Sequence, residues 1–457
     1  MVALAAMGWL SEVGNKLKRS AAAENSTADA TPLGILAFET AKTMSCLVSL
    51  YKSLADSEFS KLKEVIKSEG VAYLNSNDEA YLLSLACAER LEDLDRTAST
   101  VARLGHKCSD PVLNRFEFVY ADLKLGLTNF GKLEYGSREV EKRLEKMEKL
   151  VNATTDLYMA LEALSELEVS ERKIKQWKPN KANLDLFYQK LAYQRKQVRH
   201  LRETSLWGKT FDKSVGLMAR IICVVYARIL TVFNGHIPSL PRGEQPVISR
   251  SGPIQTAKKP CLVRFHSHRS NLFNMEDSVL GANNRVFHLA APSTVGGSGL
   301  ALRYANVIVM AENYLDSEVT VDDEGREKIY EMLPENLRRM VRSKLRKLAD
   351  AEEDGGEALA EGWRVAVGRI MAWLEPVARD TLTWQAEGSV EKAGLDSKPS
   401  VLLVQTLHFA DKEKAEAAIA EVLVGLSYIC LYENRRSSDD DDDWYARCAS
   451  DGVSCPR

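Results

Sequence analysis

Little in this chain of 457 residues announces chemistry by its absence or presence of a familiar motif. There is no G-x-S-x-G, no H-E-x-x-H and no kinase signature set, so no residue is nominated as catalytic. The eight cysteines are scattered and no pair has CxxC spacing, which suits reduced thiols of a cytosolic or nuclear protein. An excess of positive charge is missing too. Sixty-one Lys and Arg stand against 64 Asp and Glu, a formal charge of −3, which argues against a general nucleic-acid binder while leaving room for local patches. The longest apolar stretch, Leu217 to Phe233, is interrupted by Arg220 and Arg228 and reads as too short and too charged to span a bilayer. Val2 to Leu10 is apolar, but Lys16, Lys18 and Arg19 follow it, the wrong order for a secretory signal. The expectation is an intracellular protein, neither secreted nor transmembrane, in the cytoplasm, in the nucleus or at the cytoplasmic face of the plasma membrane.

Proline is scarce where it matters. Six of the 13 prolines lie between Pro238 and Pro292, whereas Val112 to Ile237 contains only Pro179. Proline removes a helix donor and clashes with the preceding turn, so the proline-poor stretch can be continuously helical and the rich one cannot. Residues 236–295, also rich in Ser, Asn and Arg, read as a disordered linker. The segments 1–31 and 434–457 read as an N-terminal tail and an acidic disordered tail. Between them stand two blocks, 32–235 and 296–433, and ordinary hydrophobic content of 45% gives each material for a core.

Both blocks carry helical periodicity. Ser76 with Glu79 has capping-box spacing before Tyr81, Leu82, Leu85, Leu91 and Leu94. Asp110 before Pro111 places a capping carboxylate ahead of a proline at the first helical position. From Leu144 onward two apolar rows run side by side, wider than a coiled-coil seam, which predicts a long helix inside a bundle. A second long helix, Leu184 to Thr204, folds back on it, and Thr210 to Phe233 supplies a central apolar helix. In the second block, stripes run through Leu300 to Leu315, Trp363 to Val377 and Ala415 to Ile429. Few runs alternate with period two, and no fixed-period repeat is present. The predicted fold is all-α: two helical-bundle domains with long antiparallel helices, joined by the linker.

Several stretches resemble a plant family. Ile35-Leu36-Ala37-Phe38-Glu39-Thr40-Ala41-Lys42-Thr43-Met44-Ser45 is similar to the opening of the phytosulfokine-simulated-growth proteins and their shorter relatives. So are Leu85-Ala86-Cys87-Ala88-Glu89-Arg90-Leu91-Glu92-Asp93-Leu94, Ser205-Leu206-Trp207 and, in the second block, Thr294-Val295-Gly296-Gly297-Ser298-Gly299-Leu300 through Ile308. The resemblance implies two domains of unknown function in this order, a role promoting plant growth linked to peptide-hormone signalling, and no established enzymatic activity. Members of the growth-simulating branch begin Met-Gly. Here the chain starts Met1-Val2, and Met7-Gly8 is followed by Ser11 one place early for an acylation signal, so the start resembles the shorter relatives and acylation is not carried over.

Each remaining candidate has a functional and a structural reading. Gly296-Gly297-Ser298-Gly299 precedes a helix and can present backbone N–H groups to phosphate, though no Walker lysine follows; otherwise it is a turn that lets the helix pack closely. His266 and His268, with Cys261 nearby, fall short of a metal site, and flanking arginines repel a cation. Arg338, Arg339, Arg342, Lys344, Arg346 and Lys347 place six cations in ten residues of a predicted helix. They read as a nuclear-import or lipid-headgroup site, or as a solvated face balanced by Glu352, Glu353 and Asp354. Trp9 and Leu10, with Lys16, Lys18 and Arg19 behind them, form a short amphipathic element that can lie on an anionic membrane. Ser249, Ser251, Ser267 and Ser270 lie near arginines, where a phosphate would pair with a cation. The leading reading is a non-catalytic regulator or scaffold with protein partners, in receptor-kinase signalling, and no cofactor. A peripheral membrane adaptor comes second and a nucleotide-dependent enzyme third.

Overall fold

The proline-poor stretch holds the longest helices of the first block. The computed structural model describes residues 32–126, 137–176, 181–236, 286–316, 323–351, 356–388 and 401–450. Among them no strand forms; two isolated antiparallel bridges, Pro32 with Thr210 and Thr294 with Asp411, are the extended contacts. The first block comprises α1 (Leu36–Ser53), α2 (Asp56–Ile66), α3 (Glu69–Leu74), α4 (Glu79–Gly105), α5 (Pro111–Asn114), α6 (Phe116–Lys124), α7 (Ser137–Gln176), α8 (Lys181–Thr204) and α9 (Phe211–Val232). The second comprises α10 (Ala301–Asp316), α11 (Asp323–Met332), α12 (Glu335–Ala351), α13 (Gly356–Gly388) and α14 (Lys412–Ser450). The all-α expectation holds.

Local chemistry explains the starts. Asp110 Oδ1 accepts the Val112 N–H at 2.8 Å with Pro111 at the first position, as the sequence predicts. The cap of α4 differs from expectation. Asp78 Oδ1 accepts from the Ala80 and Tyr81 amides at 2.9 and 3.1 Å, while Ser76 accepts only from the Asp78 N–H. A carboxylate nearer the helix outcompetes the hydroxyl, and Glu79 becomes the first helical residue.

α8 folds back on α7: Val198 is buried with Leu157 and Ala160, Gln194 Nε2 donates to the Ala160 carbonyl, and Arg195 reaches Glu168. α9 occupies the centre of the first block, burying Val215, Met218, Ile222, Val225 and Ile229. By length and mean hydropathy α9 and the Lys412–Tyr432 part of α14 would suffice to cross a membrane, yet 56% and 72% of their windows are buried inside the protein. Arg228 of α9 turns outward to the Leu54 carbonyl at 3.2 Å and Asp56 at 2.7 Å.

The two blocks meet. One continuous core runs from Leu33, Met44 and Leu74 through Ile222 to Tyr304, Leu374, Ile419 and Cys430. Tyr304 donates to Glu416 Oε1 at 2.6 Å, a buried hydrogen bond tying α10 to α14. Two boundaries need correction. Within the expected linker, 237–285 lies outside the described residues, but 286–295 is built into the fold, because Val286 and Val295 are buried and the backbone there bonds to residues 408–412. Likewise α14 continues to Ser450, so the backbone from 434 to 450 is helical where an acidic tail is expected. Extending an existing helix adds one hydrogen bond per residue fixed, without a new nucleus. Residues 1–31 lie outside the described residues.

Candidate functional site

The glycine loop can be read atom by atom. Val295 N–H donates to the Ala410 carbonyl at 2.8 Å and Gly296 N–H to the His408 carbonyl at 3.0 Å. Gly297 N–H donates to Thr294 Oγ1, Ser298 N–H to the Thr294 carbonyl, Gly299 N–H to Gly296 and Leu300 N–H to Val295. Every amide from 295 to 300 is thus bonded within the protein, which leaves none to cradle a phosphate. The glycines serve close approach. A Cβ at Gly296 would stand 2.2 Å from His408 Nδ1, and one at Gly297 2.0 Å from the Ala291 carbonyl oxygen. Gly299 takes φ +71°, the left-handed conformation that glycine adopts without strain.

This loop belongs to a polar seam between the blocks. Asp411 N–H donates to the Leu74 carbonyl, Asn75 Nδ2 to the Val404 carbonyl, Leu403 N–H to Glu89 Oε2 and Val286 N–H to Glu92 Oε2, all at 2.8–3.0 Å. Leu85, Val286, Leu403 and Phe409 form a small buried cluster beside it. His408 sits at the middle, its Nε2 2.9 Å from the Phe287 carbonyl and its ring 4.3 Å from the Phe287 ring. Burial pushes His408 below the usual histidine range. Burial first, and the Asp93 charge second, push Glu89 up to about 8. These are supports of the blocks' union, placed where the sequence shows only helix patterning.

The basic helix α12 divides its six cations. Arg338 Nε donates to the Tyr330 carbonyl at 3.0 Å and Nη2 to the Glu331 carbonyl at 2.8 Å. Those carbonyls end α11 and have no partner within that helix, so Arg338 caps it. Arg338 and Arg342 also flank the Tyr330 ring, at 5.5 and 5.2 Å from its centre. Lys344 pairs with Glu421 of α14, and Arg339 Nη2 donates to Asn336 Oδ1 at 2.6 Å. Arg346 and Lys347 are exposed. The loop and the basic helix thus occupy separate settings, and each is largely committed to holding the fold. Glu352, Glu353 and Asp354, the expected counter-charges, lie outside the described residues.

Trp9, Leu10, Lys16, Lys18, Arg19, Ser249, Ser251, Ser267, Ser270, Cys261, His266 and His268 also lie outside the described residues. Five free thiols are described, and burial pushes Cys87 and Cys223 up to about 12, so neither is poised as a nucleophile. Among the described residues no cluster of three or more His, Cys, Asp or Glu could hold a metal. What the sequence pattern does not announce is a cleft of about 650 Å³ where the first turns of α7 face residues 209–220, at the start of α9. Its cations come from two segments some 65 residues apart in the chain, so no run in the sequence marks it.

Comparison with known proteins joins these observations to relatives. Residues 35–90 match the family described as a domain of unknown function, DUF3475, and residues 294–383 match the protein family of unknown function DUF668. The chain is 26% identical over 421 residues to Protein PSK SIMULATOR 1 of Arabidopsis thaliana, covering 88% of this chain and 56% of that protein. To PSK SIMULATOR 3 of the same plant it is 26% identical over 413 residues, 87% of this chain and 56% of the relative. To PSK SIMULATOR 2 it is 23% identical over 424 residues, 88% of this chain and 60% of the relative. These plant proteins are its homologues, as the resemblance read from the sequence implies. The chain spans little more than half the length of the curated relatives it matches. No solved structure matches. Leu74, Asn75 and Glu89 of the seam lie in the first matched region, whereas their partners Asp411, Val404 and Leu403 lie beyond the end of the second.

Proposed function

We propose that this protein is a non-catalytic helical regulator that promotes plant growth within peptide-hormone signalling and acts as a scaffold for protein partners of receptor-kinase pathways. The observation that carries this reading is similarity to three PSK SIMULATOR proteins running through 87–88% of the chain, across both blocks. The surface supplies the means. On the α7–α8 pair, Met159, Leu186 and Tyr193 are 63%, 67% and 67% exposed, and Leu186 and Tyr193, two turns apart, share a face of α8. Exposed large apolar side chains of this kind are what a protein partner covers. The protein works in the cytoplasm, in the nucleus or at the cytoplasmic face of the plasma membrane, and phosphorylation of Ser249, Ser251, Ser267 or Ser270 would tune it. The test is growth of a plant lacking such relatives, supplied with this chain or with its Leu186→Asp/Tyr193→Asp form. Growth restored only by the unchanged chain supports a scaffold acting through α8; equal restoration overturns the α8 surface, and no restoration by either overturns the growth role.

A second reading, a peripheral adaptor on anionic lipid, is favoured by the exposed Arg339, Arg342 and Arg346 lying along one face of α12. It requires salt-sensitive binding to phosphatidylserine vesicles that weakens when Arg346 and Lys347 become Glu.

A further inference from the structure

The cleft between α7 and the start of α9 collects Lys142, Arg143, Lys146, Lys209, Lys213 and Arg220. Three acids share its lining, and each is already engaged. Glu139 pairs with Arg143 at 3.0 Å, Asp110 caps Val112, and Asp212 accepts the Ser109 N–H at 3.1 Å. Among the described residues Lys142, Lys146 and Lys213 form no ion pair, and Lys209 Nζ reaches only as far as the Glu203 carbonyl at 3.4 Å. Six cations therefore face three carboxylates in one concavity, and none of its four lysines forms an ion pair among the described residues. Lys142 and Lys146 stand one turn apart on the same face of α7, a like-charge pair that mildly destabilises a helix. The opposite wall adds the N-terminal end of α9, whose first-turn amides carry partial positive charge.

The rest of the lining narrows the ligand. The volume, about 650 Å³, falls within the range of small-molecule sites, roughly 300–1,000 Å³. Met44, Leu113, Leu150 and Leu217 form the apolar part, and among the described residues no aromatic side chain lines the cleft. Those residues offer a nucleobase no ring on which to stack. Lysines act as point charges that can converge on several phosphate oxygens from different directions, without the planar fork an arginine imposes. We infer that this cleft binds a compact, non-aromatic, multiply phosphorylated molecule, either free or as the headgroup of a phosphorylated lipid. The site is independent of the growth-regulator reading and goes beyond it.

Titration calorimetry of the full chain with inositol hexakisphosphate as probe tests the inference, with ATP in parallel and with phosphatidylcholine vesicles carrying or lacking a bisphosphorylated phosphoinositide. Lys146 and Lys213 are exposed, so Lys146→Glu/Lys213→Glu leaves the core untouched, which circular dichroism and the melting temperature verify. Arg346→Glu/Lys347→Glu, an equal change of charge on α12, is the control. The expected result is salt-sensitive binding of the hexakisphosphate, weaker binding of ATP, and a loss of about tenfold or more in the cleft variant alone, as removal of two charge-assisted contacts implies. Vesicle binding that the cleft variant abolishes assigns the lipid source; binding of the soluble probe without vesicle binding assigns the free one. Absence of binding to either, ATP binding as tight as the hexakisphosphate, or equal weakening by the α12 variant overturns the inference.

Discussion

Two basic regions of this molecule carry six cations each and use them in opposite ways. In α12 the cations follow one another within ten residues, and three of them are engaged in holding the fold: Arg338 on the end of α11, Arg342 on Tyr330, Lys344 on Glu421. In the α7–α9 cleft they come from separate segments, and three lysines have no ion pair among the described residues. Density of charge along a chain therefore differs from availability of charge in space. The glycine loop follows the same rule as α12: it looks like a phosphate cradle in sequence, and its amides are all bonded to the protein's own carbonyls and hydroxyl. In both cases a conspicuous motif marks a structural joint.

The largest effect should come from the loop. If its glycines exist for close approach, Gly296→Ala drives a methyl into His408 and Gly297→Ala drives one into the Ala291 carbonyl, where rigid backbone cannot yield cheaply. Each should destabilise by about 3 kcal/mol or more, the range for overpacking at a strained site. Denaturant unfolding of the two variants measures it. A loss below about 1 kcal/mol would mean that the loop tolerates a side chain and could open its amides, returning it to the class of binding loops.

Next is the pH response of the seam. Glu89 rises from 4.5 in an open chain to about 8 in the fold, because burial disfavours the carboxylate. Between those two values the folded state holds a proton that the unfolded state has released, so this group's contribution falls as pH rises from 4.5 to about 8 and is level above. Asp93, also raised by burial, acts in the same direction, whereas His408, lowered by burial, weakens the fold as pH falls below 6.5. Glu89→Gln keeps an acceptor for the Leu403 amide and removes the titration. The difference in unfolding free energy between variant and parent should therefore grow across the window, in the variant's favour, by up to roughly 5 kcal/mol. Parallel pH profiles would show that Glu89 is solvated and that the blocks do not close over it.

Much of the helical plan was legible along the chain, for a physical reason: periodicity, the Asp110-Pro111 start and the scarcity of proline are local properties, and helices answer to local properties. Asp78 displaced Ser76 as a cap because two competing side chains lie two residues apart and only the backbone angles choose between them. The seam was illegible. Val286 and Val295 look like stray apolar residues in a proline-rich segment until residues 408–412 supply partners over a hundred positions away. The cleft was hidden more thoroughly, since Lys142 and Lys146 sit in Glu141-Lys142-Arg143-Leu144-Glu145-Lys146, the ordinary alternation of a solvated helix. Nothing in that run tells that Lys209 and Lys213 face it.

The smallest effects separate the two basic regions most cleanly, because their signs differ. Arg338→Ala removes one of two donors from each of two carbonyls at the end of α11, leaving the Leu333 N–H on Tyr330 and Arg303 on Glu331, and should destabilise by about 1 kcal/mol. Lys142→Gln/Lys146→Gln/Lys213→Gln removes no ion pair described in the fold and relieves repulsion between neighbours, so its change should stay within about 0.5 kcal/mol and lean toward stabilisation. Thermal unfolding at low salt measures both. A triple variant less stable by about 1 kcal/mol or more, twice that expected range, would show that the lysines hold the walls together and would place the cleft with α12 among the structural joints. A neutral or more stable triple variant leaves charges that the fold itself does not need, which is the condition of a surface kept for a ligand.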